Sequence, residues 1–183
     1  MTSAATLPAP TELLAGQDIR VPLRNGRTTR PINFDHAAST PAFLTVRQRV
    51  NSFLDWYSSV HRGSGFTSQL SSRVYEEARA VVARFVGARH DQHVVIFGPN
   101  TTWALNKLAR RLPIAAGDII VTTELEHHAN DLPWRQVARV LHARCDAQGR
   151  LDEEHLAGLL QQHAGRVRLL AVTGGSNVTG YLP

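Results

Sequence analysis

The sequence predicts an α/β fold: a mostly parallel sheet covered by helices on both faces, three layers in all. Three observations predict it. Short, almost wholly apolar runs recur at 94–97, 119–122, 140–144 and 167–173, as expected of strands buried on both faces. Segments with helical apolar spacing lie between them. The links joining the two kinds of segment are short, and such alternation favours parallel strands with helical crossovers.

Taken in order, residues 1–30 hold prolines, glycines and arginines without sustained periodicity. They read as a mobile arm with at most one short helix near 12–14. The globular part is expected to span 31–183. Ser39 or Thr40 is placed to cap a helix over 41–56. The segment 69–86 carries Leu70, Val74, Ala78, Val81, Val82 and Phe85 at helical spacing, which predicts one buried face, with Gly87 as its stop. Further helices are expected over 101–112, 131–137 and, capped by Asp152, up to about His163.

The chain has 183 residues, 43% of them hydrophobic, enough for one domain with a core. Its net charge is +5. Lys107 is the only lysine, and the arginines are scattered in pairs such as Arg47 and Arg49 or Arg135 and Arg139. That distribution describes a solvated surface and argues against a nucleic-acid groove. Cys145 is the single cysteine, so no disulfide forms within the chain, which suits a reducing compartment. No basic region followed by an apolar run opens the chain, and no stretch reaches bilayer-spanning length. The expectation is a cytoplasmic protein that uses neither membrane nor nucleic acid.

Several polar residues fall where an open parallel sheet binds ligands, at the carboxyl ends of its strands. Thr101 and Thr102 open a helix after the first apolar run. Free N–H groups and the helix dipole favour an anion there, although a threonine can equally be a plain helix cap. His127 and His128 follow the second run. An imidazole there can stack on a flat ring or move protons, and a surface histidine or a metal ligand with Glu124 or Glu126 are the other readings. Asn177 follows the last run, and its amide can donate and accept at once. His61 sits among glycines that allow close approach to a ligand, or is an ordinary loop histidine. Cys145 reads as a structural thiol, with no histidine partner assignable to it.

These motifs resemble the class V aminotransferase family, most closely its cysteine desulfurase and selenocysteine lyase branch. The matching pieces run in family order over about 31–183: FDHAASTP at 34–41, SVHRG at 59–63, YEEAR at 75–79, the Thr101–Thr102 pair with ALN at 104–106, GDIIV at 117–121, EHHAN at 126–130 with PW at 133–134, GRLD at 149–152 and SNVTG at 176–180. The resemblance implies the large domain of a fold-type I pyridoxal 5′-phosphate transferase, a small amino-acid substrate and, in intact members, a homodimer. It implies that Asn100, Thr101 and Thr102 lie at the cofactor phosphate, that His127 stacks on the pyridine ring, that Asn177 meets the ring oxygen or the substrate, and that His61 lies near the substrate.

Two departures stand out. Asn100 replaces the usual glycine before the threonine pair, and Asn tolerates left-handed backbone angles. Trp103 replaces the usual glutamate. Family members place the Schiff-base lysine, the aspartate at the pyridine nitrogen, the substrate-binding arginine and the desulfurase cysteine beyond the position of Pro183. Lys107 matches no family lysine. The chain is therefore expected to be a truncated, N-terminal portion with no catalytic residue of its own and little or no activity. The alternative is a non-catalytic binding or dimerisation module that pairs with a full-length relative.

Overall fold

The computed structural model describes residues 13–183. They divide into two compact units at Ile96 and Phe97.

In the first unit, the stretch read as an arm contains a small antiparallel hairpin, β1 (Val21–Pro22) and β2 (Thr28–Thr29). Gly26, at φ +80°, closes its turn by donating to the Leu23 carbonyl at 3.0 Å. Strands of two residues lie below any periodicity signal. Of the short helix expected near 12–14, Glu12 lies outside the described residues, Leu13 is in a 3-10 turn, and Leu14 forms an antiparallel bridge with Phe43. Helix α1 spans Leu44–Leu54, and its cap position is Phe43, not Ser39 or Thr40. Thr40 lies three residues before that cap position, and its hydroxyl donates back to the His36 carbonyl at 2.5 Å.

Helix α2 (Phe66–Phe85) starts three residues before the expected 69, since Gly65 already serves as its cap residue. Gly87, at φ +67°, follows its end as expected. The first turns of α2 are rich in serine, and those hydroxyls hold the preceding loop. Ser71 accepts from the Ser58 N–H at 2.9 Å, Ser72 accepts from the His61 N–H at 2.8 Å, and Ser68 donates to the Ser59 carbonyl at 2.5 Å.

Two expectations of burial fail here. Val81 and Phe85 of α2 are 55% and 90% exposed. The run 94–97 joins neither sheet, with Val94 and Ile96 largely exposed. An apolar pattern expresses a demand for cover and does not name what supplies it.

In the second unit, β3 (Ile119–Thr123) lies between β4 (Arg139–Ala143) and β5 (Val167–Leu170), and both pairings are parallel. Ile119 pairs with Arg139 on one side and Val167 on the other, and the β5 register shifts between Ile119 and Ile120. All five residues of β3 are buried, so both of its faces are covered. Helix α3 (Thr101–Ala109) precedes β3. Helix α5 (Glu153–Gln162) joins β4 to β5, capped as expected by Asp152, which accepts from the His155 N–H at 2.8 Å.

The helix expected over 131–137 is the shorter α4 (Leu132–Arg135), and a separate 3-10 turn (His128–Asn130) precedes it. Pro133 explains the break. It has no N–H to donate and its ring would clash with the Ala129 carbonyl in a continuous helix, whereas the first turn of a new helix accepts it. The core of this unit is Ala109, Ile120, Trp134 and Ala171, with Leu105, Leu112, Val137, Val140 and Leu169 packed against them. Trp134 is the largest fully buried side chain among the described residues.

Candidate functional site

The site grows from the first turn of α3. Asn100 is its cap, with its side-chain oxygen accepting from the Trp103 N–H at 2.8 Å. This corrects two expectations. Neither threonine caps the helix, and Asn100 sits at φ −169°, in extended backbone with no need of left-handed tolerance. The Ala104 N–H is bonded to the Asn100 carbonyl at 3.2 Å. The N–H groups of Thr101 and Thr102 are thus left outside the helix ladder, together with two exposed hydroxyls, and the dipole adds its positive end.

Gly98 is required just upstream. A Cβ there would lie 2.3 Å from the Trp103 ring, so the chain enters α3 directly against the indole. Lys107 lies with its amine 4.8 Å from the centroid of that same ring, on the flank of α3.

His127 is exposed and lies at the start of the 3-10 turn. Its Nδ1 accepts from the Ala129 N–H at 3.0 Å, and its carbonyl accepts from the Asn130 N–H at 2.8 Å. With Nδ1 held as an acceptor, the neutral ring carries its proton on Nε2. Helix α3 packs against both the 3-10 turn and α4, so the threonine pair and His127 sit on elements in direct contact.

Asn177 is exposed at the strand-end edge, in a tight turn built on Ser176. The Ser176 carbonyl accepts from the Gly180 N–H at 2.9 Å, and its N–H donates to the Tyr181 carbonyl at 2.8 Å. This turn follows Thr173, whose N–H donates to Glu126 at 2.8 Å, directly beside His127 in sequence.

His61 belongs to the first unit. It is the one described non-glycine residue at positive φ, +57°, a conformation that concentrates at functional positions. Its Nε2 lies 3.0 Å from Glu76, and its ring meets Tyr75 edge-on with centroids 5.8 Å apart. Cys145 is not an activated nucleophile. Burial pushes its thiol pKa up, and the negative charges of Glu124 and Asp146 push it the same way.

Sequence reasoning passed over the residues that hold this edge together. Glu126 entered only as a possible metal ligand or part of a motif, yet it accepts from Thr123, Asn130 and Thr173. Asp131, buried beneath the 3-10 turn, accepts from Arg135 at 3.0 Å through Nε and at 2.5 Å through a terminal nitrogen, and lies 2.9 Å from His142 Nε2. Burial alone would raise the Asp131 pKa. The hydrogen bonds and charges of Arg135 and His142 outweigh it and hold the carboxyl below its ordinary value. The four-residue steps Glu126–Asn130–Trp134 and Asp131–Arg135 were the available signal, one helical turn each.

A parallel sheet, with a helix N-terminus and an exposed imidazole on elements in contact, matches the large domain of a fold-type I pyridoxal phosphate enzyme. The chain belongs to the aminotransferase class-V family, whose model matches residues 32–183. It is 35% identical to a cysteine desulfurase of Haloferax volcanii over 92% of this chain and 41% of that protein. A cysteine desulfurase of Dickeya dadantii is 40% identical over 80% of this chain and 37% of the relative. Among solved structures, a cysteine desulfurase from Thermococcus onnurineus NA1 matches with a TM-score of 0.67 at 30% identity, covering 81% of this chain and 38% of that one. The chain therefore spans about two fifths of the length of these relatives. No helix of the described residues is long and apolar enough to cross a membrane.

The donor set fits part of the family's cofactor. Two free N–H groups and two hydroxyls at a helix start suit a phosphate monoester, and an exposed imidazole suits a flat ring. Lys107, over the Trp103 ring, is not placed as a covalent anchor.

Proposed function

We propose that this chain forms the phosphate-binding and ring-stacking part of a cysteine desulfurase-like enzyme that acts on a small amino acid and works as a homodimer at full length. The observation that carries this reading is the division of labour at α3. Asn100 satisfies the third N–H of the helix, which leaves Thr101 and Thr102 free for an anion. Pyridoxal phosphate, when bound, supplies an electron sink for bonds at the α-carbon of an amino acid. The chain's own residues bind and orient. Thr101 and Thr102 hold the phosphate, with Asn100 setting their direction. His127 lies against the ring and presents its Nε2 proton to the substrate side. Asn177 hydrogen-bonds a ring or substrate oxygen.

In this reading the 183 residues alone turn over little or no amino acid, because their single lysine lies on the flank of α3. Treating the chain with pyridoxal phosphate and borohydride is expected to leave no stoichiometric adduct at Lys107 in a peptide mass map. An adduct there would overturn its role as a bystander. Pyridoxal phosphate is expected to shift the Thr101 and Thr102 amide resonances of the wild-type chain, and Thr101→Ala/Thr102→Ala is expected to weaken that binding roughly tenfold or more, for two lost hydroxyl donors.

A second reading, a non-catalytic module that pairs with a full-length relative, draws support from the exposed apolar residues of α1 and α2, Val46, Val50, Leu54, Val81 and Phe85. Sedimentation with a full-length relative tests it. Co-migration supports pairing, and separate boundaries at micromolar concentration remove it.

A further inference from the structure

We propose that Glu126 is the positioning residue of the strand-end site: its carboxylate ties the ends of β3 and β5 to the 3-10 turn and so sets how His127 is presented. The proposal rests on the reading of His127 as a cofactor-ring residue.

Three donors from three places converge on this one carboxylate. Oε1 accepts from the Thr123 hydroxyl, at the end of β3, at 2.8 Å, and from the Thr173 N–H, just past β5, also at 2.8 Å. Oε2 accepts from the Asn130 side-chain amide at 2.7 Å. The Asn130 oxygen in turn accepts from the Trp134 indole N–H at 3.2 Å. His127 lies inside the loop that these bonds close, and its backbone carbonyl is held by the Asn130 N–H.

The direction of the bond between Asn130 and Glu126 follows from Trp134. An indole N–H only donates, so the Asn130 oxygen must face it and the Asn130 NH₂ must face residue 126. With three donors arriving, residue 126 must only accept, and an ionised carboxylate does that. Glutamine has nearly the same shape and cannot. Its NH₂ would meet either the Asn130 NH₂ or, flipped, the Thr173 N–H, which can only donate. Trp134 belongs to the buried core, so the polarity that holds His127 is anchored in packing and not in the exposed loop.

This logic specifies a test by polarity reversal in the full 183-residue chain. In Glu126→Gln the clash loosens the turn. In Glu126→Gln with Asn130→Asp, the new glutamine NH₂ donates to the new aspartate, whose other oxygen accepts from Trp134, and every hydrogen bond is restored with only the bond between 126 and 130 reversed. Nitrogen-15 spectra of the His127 ring, with hydrogen exchange at the Asn130 backbone amide, are compared under conditions where circular dichroism shows each variant folded.

Glu126→Gln is expected to shift the His127 ring resonances and to accelerate Asn130 exchange by roughly tenfold or more, the scale of one lost charge-assisted hydrogen bond. The double variant is expected to return both to near wild-type values. If the His127 ring signals of the folded single variant coincide with wild type, Glu126 serves stability alone and the proposal is overturned. Failure of the double variant to restore them overturns it equally. Pyridoxal phosphate titration of the wild-type chain separates the two levels of reading. Unmoved Thr101 and Thr102 amides would sink the cofactor assignment, while the His127 comparison still decides whether Glu126 positions that ring.

Discussion

Replacing Trp134 with alanine is expected to lower the unfolding free energy by roughly 3–5 kcal/mol. The indole is about 1% exposed and sits between Ala109, Ile120 and Ala171, at the meeting of α3, α4 and the sheet. Its removal leaves a cavity in this packed core, and such cavities add their own cost to the lost transfer energy. It also strips the Asn130 oxygen of its donor. Domains are commonly stable by only about 5–15 kcal/mol, so the variant is expected to lie near its unfolding threshold. Urea denaturation measures the effect. Trp134→Phe keeps most of the packing and removes the N–H, and is expected to cost more than the hydrogen bond alone, which is about 0.5–1.5 kcal/mol, by whatever the smaller ring leaves unfilled. A midpoint for Trp134→Ala within error of wild type would contradict the packing described for this core.

The second large effect is at Asp131 and depends on pH. Its folded-state pKa is depressed by Arg135 and His142 against the opposing push of burial. A carboxyl depressed in the folded state contributes stability above its unfolded pKa, near 4, and that contribution disappears as pH falls through the folded value. Wild type is therefore expected to lose stability steeply on acidification below about pH 4. Asp131→Asn is expected to be clearly less stable at pH 7, because the amide nitrogen in either orientation would face an Arg135 N–H donor. Over the acid interval it is expected to lose less than wild type does. Urea midpoints at pH 7 and pH 3 for both proteins test this. Parallel pH profiles would show that Asp131 does not carry the acid sensitivity.

Both residues bear on the candidate site through the same short segment. Trp134 anchors Asn130 and Glu126 on one side of the His128–Asn130 turn, and Asp131 fastens its other side to β4 through His142. The strand-end edge that presents His127 is thus held by a buried aromatic and a buried carboxylate, neither of which faces the ligand side. Under the proposed reading, that arrangement leaves the exposed imidazole free to meet a ring while its backbone stays fixed.

Much of the second unit was legible in the residues. The wholly apolar run around Ile119–Thr123 announced a strand buried on both faces, and β3 is buried along its length. Asp152 before an apolar-periodic segment announced a capped helix, and α5 begins there. The placing of Thr101 and Thr102 at a helix start was readable for the same reason, since capping and helix periodicity are local and short-ranged. The family resemblance added order and spacing across 31–183, and the family model covers 32–183.

What the sequence determined by itself was the demand in each segment: which runs must be buried, where helices begin and stop, and which polar side chains stand at strand ends. The tertiary structure alone decided how those demands are met. It left Val81, Phe85, Val94 and Ile96 exposed, because an apolar pattern does not carry the identity of its cover. It gave the helix cap to Asn100 and freed the threonines, because one side chain's reach settled a choice that local propensity left open. It joined Glu126 to Thr173, 47 positions away, because hydrogen bonds between strand ends depend on the register of a sheet, and register is fixed only when the strands pack.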